Sequence, residues 1–119
     1  MYSKRVLDHF HDPRNVGEIE NATAAVEASN PVCGDTVKLW VVIENGAITA
    51  ARFKAAGCVA AIACGSWLTE WLAGKPLAAL PNLSPDQIEA ALDGLPPASK
   101  HAAVLASDAV RQLAARRPA

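Results

Sequence analysis

The chain has no excess of either charge: 11 Lys and Arg stand against 12 Asp and Glu, a formal net charge of −1. Without a basic surplus there is little to hold a phosphate backbone, which argues against nucleic-acid binding. The one basic cluster, Arg111 with Arg116 and Arg117, reads as a solvated helix end. Long apolar runs are missing too. The longest uncharged stretch, Ala55 to Thr69, is too short and too rich in Gly and Ala to span a bilayer. Charged residues interrupt the opening MYSKRVLDHF before any apolar run can form, so no secretory signal is predicted and a cytosolic location is expected. The three cysteines are an odd number in such a chain, so metal or redox chemistry suits them better than a disulfide framework. Repeats, low-complexity tracts and interdomain linkers are absent, and 119 residues at 51% hydrophobic suit one domain over residues 1–119.

What is present reads in three stages. Ser3 to Phe10 places Val6, Leu7 and Phe10 at helical spacing, and Asp12-Pro13 ends that helix. Ala24 to Ser29, Thr36 to Ile43 and Ala47 to Ala55 read as strands, the last two joined through Glu44-Asn45-Gly46, where Asn-Gly supplies the positive φ angles of a tight type I′ turn. The pattern then turns helical from Cys58 to Ala73, with Gly74 and Pro76 as the stop. Ser84-Pro85-Asp86 opens another helix, ended by Gly94. After an extended Leu95-Pro96-Pro97, Ser99 is expected to cap a last helix reaching Ala115. Three strands followed by helices predict an α+β domain, a small antiparallel sheet with helices packed on one face.

Four side chains could carry chemistry. Cys33 lies in Asn30-Pro31-Val32-Cys33-Gly34-Asp35, and in an extended chain the thiol and the Asp35 carboxylate, two residues on, point the same way. That pair suits a metal; taken alone it is more simply a loop cysteine with an aspartate turn. Cys58 follows Gly57 at a strand-to-helix junction, where the helix macrodipole favours the thiolate. Its other reading is a small buried hydrophobe. His101, in the first turn of the last helix, is expected to stay neutral and able to bind a metal, or else to be polar surface. Cys64 differs: six residues past Cys58 on one helix, it diverges by ~120° and lies ~9 Å along the axis, so the two cannot readily share a metal. It aligns with Leu68 and Trp71 and reads as a core residue. His9 and His11 have no cysteine near them in sequence and receive no role.

Together these segments resemble the IscU/NifU N-terminal-domain family of iron–sulfur cluster assembly scaffolds. The resemblance rests on Asp12-Pro13-Arg14-Asn15-Val16-Gly17, Asn30-Pro31-Val32-Cys33-Gly34-Asp35, Gly57-Cys58 with Ala61-Ile62-Ala63, Thr69-Glu70 with Gly74-Lys75-Pro76, and Leu95-Pro96-Pro97 before His101. It runs in order through nearly the whole chain. It implies a SufE/NifU-type fold and a non-enzymatic scaffold or carrier that binds iron or a labile [2Fe–2S] cluster, takes sulfur from a cysteine desulfurase and serves iron–sulfur client proteins. The cluster-binding residues it implies are Cys33, Asp35, Cys58 and His101.

Two departures stand out. The family carries a third cysteine directly after this histidine; here the position is Ala102, which can neither accept sulfur nor bind iron. The family's chaperone-recognition segment continues Leu-Pro-Pro with valine and lysine, whereas Leu95-Pro96-Pro97 continues here with Ala98-Ser99, against handling by the specialised Hsp70 system. Two thiolates, one imidazole and one carboxylate can close a tetrahedral zinc site, so zinc is expected in purified protein. The alternative function is then a degenerate scaffold homologue, a zinc-binding or regulatory partner of a desulfurase that builds no clusters. A Cys58 nucleophile with His101 as base is chemically sufficient, but no substrate-binding signature such as a Gly-rich phosphate loop accompanies it.

Overall fold

The structure, a computed structural model, describes residues 1–31 and 34–115. Helix α1 (Lys4–His11) starts where the Ser3 hydroxyl accepts the Val6 N–H at 3.1 Å. Its buried residues are Val6 and His9. Leu7, expected on the apolar face, is instead 38% exposed. The inward stripe is Val6 and His9, one helical turn apart, because α1 presents that side to the second long helix, whose Ser66 hydroxyl gives His9 a partner.

Strands β1 (Ala24–Ser29), β2 (Thr36–Glu44) and β3 (Ala47–Ala56) form an antiparallel sheet in the order β1-β2-β3. The β1–β2 register runs from Ala24 opposite Val41 to Ser29 opposite Thr36. The β2–β3 hairpin turns at Asn45 (φ 53°) and Gly46 (φ 76°), the positive-φ pair that the Asn-Gly dipeptide predicts. Val37, Leu39 and Val41 alternate inward along β2 with no exposure. On β3 the alternation breaks between the buried Ile48 and Ala51, because Val42 opposes Ala50 while Ile43 opposes Ile48, leaving Thr49 as the extra residue of a bulge.

Helices cover one face of this sheet. Helix α2 (Val59–Leu72) lies on β3 with Ala60, Ala61, Ala63, Leu68 and Leu72 fully buried. Its Gly65 permits the close approach: a Cβ there would stand 2.5 Å from Phe53 Cδ2 and 2.6 Å from Cε2. After Gly74 the chain returns to the β3 edge, where the Ile48 N–H donates to the Lys75 carbonyl at 2.9 Å. A 3-10 helix follows over Leu77–Asn82, an element without a strong sequence signal, and buries Leu80. Helix α3 (Pro85–Ala91) begins at a full capping box between Ser84 and Gln87.

Helix α4 (His101–Ala115) packs on β1 and β2. Ser99 does not stand at its start as expected. It lies in a 3-10 turn, Pro97–Ser99, its hydroxyl 3.4 Å from the Tyr2 hydroxyl, while the intervening Lys100 already has helical dihedrals. The Pro96-Pro97 pair favours this tight entry over a polar cap. Among the described residues, no helix is long and apolar enough to cross a membrane.

Candidate metal centre

Three elements end at one point. Asp35 immediately precedes β2, Cys58 is the residue before the first turn of α2, and His101 is the first residue of α4. The backbone fixes the first of these, because the Asn30 N–H donates to the Asp35 carbonyl at 2.9 Å and closes the β1–β2 connection beside it. The Asp35 carboxylate is then the hub. Its Oδ2 lies 2.9 Å from His101 Nε2 and accepts from Cys58 Sγ at 3.1 Å, while Oδ1 accepts the Cys58 N–H at 3.3 Å. Cys58 Sγ and His101 Nε2 are 3.9 Å apart. One ligand atom from each residue therefore falls within 4.8 Å of the other two. The Asp35 side chain is 5% exposed and that of His101 29%, so the group is sunk below the surface but reachable through the imidazole. Beside His101 lies a cavity of about 300 Å³ bounded by Asn30, Pro31 and the exposed Val104.

The electrostatics correct one expectation. Burial, the largest influence, pushes the Cys58 thiol above its ordinary range, and the Asp35 carboxylate adds to the rise. The amides of Ala61 and Ala60 at the start of α2 do pull the other way, as the macrodipole argument requires, but they lose. Cys58 thus keeps its proton in the metal-free centre and donates it to Asp35. Burial, again the largest single influence, raises the Asp35 carboxyl. Hydrogen bonds from Cys58 Sγ, His101 and the Cys58 N–H together outweigh it and hold the group below the usual carboxylate range.

Of the other candidates, Cys33 lies outside the described residues. Cys64 is fully buried in the core on α2, and burial pushes its thiol up to about 12. The sequence reading missed the polar cluster that joins α1 to α2. His9 Nδ1 lies 2.7 Å from Ser66 Oγ, which also accepts the Arg14 N–H at 2.9 Å, and Thr69 Oγ1 donates to the Ser66 carbonyl at 2.7 Å. The only signal for it was the placement of His9 one turn after Val6.

The profile of the NifU-like N-terminal domain matches residues 1–117. This chain belongs to that family. Relatives include the iron–sulfur cluster assembly scaffold protein IscU 1 of Archaeoglobus fulgidus, 41% identical over 112 residues that make up 94% of this chain and 73% of that protein. The Escherichia coli scaffold protein IscU is 40% identical across 92% of this chain and 88% of its own. Among solved structures, the SUF-system iron–sulfur scaffold candidate of Fervidobacterium islandicum superposes with a TM-score of 0.75 at 22% identity, covering 93% of this chain and 94% of that one. The NifU-like N-terminal protein of Brucella abortus gives 0.64 at 21% identity, with 96% and 80% covered. The sheet with helices on one face is thus the family's fold, and the IscU relatives are named as iron–sulfur cluster assembly scaffold proteins.

Proposed function

We propose that this domain is an iron–sulfur cluster assembly scaffold or carrier whose cargo metal is held by Asp35, Cys58 and His101, with Cys33 as the fourth donor. The observation that carries the reading is the convergence of sulfur, nitrogen and oxygen at one partly buried point. Donors at ordinary bond lengths around one tetrahedral ion stand about 3.3–3.6 Å from each other. The separations here are 2.9, 3.1 and 3.9 Å, so a common ion requires movements of only a few tenths of an ångström. The hydrogen atoms now shared between the three groups occupy the place a cation takes. Binding displaces the Cys58 proton and leaves carboxylate and thiolate to neutralise positive charge.

Ala102, fully buried beside His101, supplies no thiol where the family resemblance places one. Thiolates match iron–sulfur chemistry better than carboxylate does, so a cluster on this chain is more labile than on a three-cysteine scaffold. A desulfurase supplies the sulfur and apo-clients receive the product. Anaerobic reconstitution with iron and sulfide produces ferric–sulfide absorption in the wild type, and Cys58→Ala abolishes it. A protein that stays colourless under those conditions removes the scaffold reading.

The same Ala102 favours a second reading, a zinc-binding partner that docks on a desulfurase and builds nothing. That reading predicts a stable complex with the desulfurase and no gain in cluster synthesis when this domain is added. A gain in synthesis rules it out.

A further inference from the structure

We propose that Gly57 is the positioning residue of the metal centre: it brings the Asp35 carboxylate to Cys58, and a side chain at 57 removes that carboxylate from the ligand set. The inference rests on the centre proposed above.

Gly57 joins β3 to α2 with φ at +126°, a conformation that L side chains rarely adopt. Its bare Cα does more than relieve that strain. The space a Cβ needs is already filled by the Asp35 carboxylate, with the Cβ position overlapping Oδ1 and lying 2.5 Å from Cγ and 3.1 Å from Cα. The carboxylate therefore lies on the naked face of Gly57, and from there it takes both the N–H and the thiol proton of the next residue. Asp35 has little freedom to adapt. Its backbone is pinned through its carbonyl to the Asn30 N–H, and the residue is 3% exposed. With a methyl group at 57 the side chain has to rotate away from Cys58 and His101. His101 comes from α4, away from this junction, and Cys58 is tied to the start of α2 through its carbonyl, which accepts the Ala61 N–H at 3.1 Å, so the carboxylate is the donor that moves.

A simple turn glycine predicts a loss of stability and nothing specific at the centre. Positioning predicts that changes at 57 and 35 are one change. Gly57→Ala, Asp35→Ala and the double variant are compared by Co²⁺ titration, read through thiolate-to-metal absorption, and by hydrogen exchange of the Cys58 amide in metal-free protein. Each single substitution is expected to weaken Co²⁺ binding by about 10–100-fold, and the double variant no further. The Cys58 amide exchanges faster in both single variants and no faster in the double. Wild-type affinity in Gly57→Ala, or losses that multiply in the double variant, overturns the proposal. If the wild type itself binds no Co²⁺, the metal reading fails, while amide exchange still decides the coupling of Gly57 to Asp35. Should Gly57→Ala fold poorly, Asp35→Ala added to it makes room for the Cβ and raises the melting temperature. A double variant no more stable than Gly57→Ala alone contradicts the proposal.

Discussion

Cys58, just before α2, and Cys64, within it, differ in almost everything that governs a thiol. Cys58 has Asp35 and His101 within reach and partial access to solvent; Cys64 is sealed among apolar side chains. Both hold their protons in the metal-free protein, since burial raises both thiols, Cys64 to about 12. The thiolate is the reactive form. Alkylation of metal-free protein near neutral pH, followed by mass spectrometry, is therefore expected to modify Cys58 more slowly than a free cysteine and Cys64 only on unfolding. Cys58 reacting faster than a free thiol contradicts this electrostatic account. Cys64→Ser leaves metal binding unchanged and costs about 1–3 kcal/mol in urea unfolding, through a hydroxyl buried without a partner.

At the scale of elements, Gly65 of α2 leaves no room for a side chain between the helix and the Phe53 ring of β3. Gly65→Ala forces the helix outward or the ring off its rotamer, at a cost of about 1–3 kcal/mol, measurable as a lower urea midpoint with an unchanged m-value. The junction of α1 with α2 carries its own pH dependence. Burial, with Arg14 second, lowers the His9 pKa from 6.5. Between the depressed value and 6.5 the unfolded chain binds the extra proton, so stability rises with pH across that window. The contribution is whole above pH 6.5 and is lost as pH falls below it. Thermal unfolding at about pH 7.5 and about pH 5.5 is expected to show a smaller drop for His9→Gln than for the wild type; equal drops remove His9 as the cause.

How far each element was legible followed how local its cause is. Asn45-Gly46 and the Ser84 cap carry their geometry within four residues, and both stand where the sequence puts them. The Leu77–Asn82 helix depends on the preceding backbone pairing with β3, which no local pattern announces. Ser99 has a good capping residue's chemistry, yet the prolines before it and Tyr2 across from it take it elsewhere. Cys58 was recognisable from its place before a helix. The sign of its pKa shift was not, because burial, the largest influence, and the carboxylate 23 positions away that adds to it both arise only in the folded chain.

The whole molecule assembles the centre only when folded, since Asp35, Cys58 and His101 approach from the β1–β2 connection, the β3–α2 junction and the start of α4. A ligand bound by the native state alone stabilises it by mass action. Zn²⁺ at a hundred times its dissociation constant is expected to add about 2.7 kcal/mol to the wild type and almost nothing to Cys58→Ala, as read by thermal unfolding. The outer sheet face, with Lys38, Arg52 and Lys54 exposed, takes no part in this.

Metal and acid-labile sulfide analysis of protein purified without oxygen tests the centre most directly. Bound iron or zinc is expected in the wild type, with sulfide present if a cluster is carried, and that metal is lost in Cys58→Ala, Asp35→Ala and His101→Ala alike. A wild type that emerges metal-free, or metal retained undiminished in all three variants, contradicts the proposed centre.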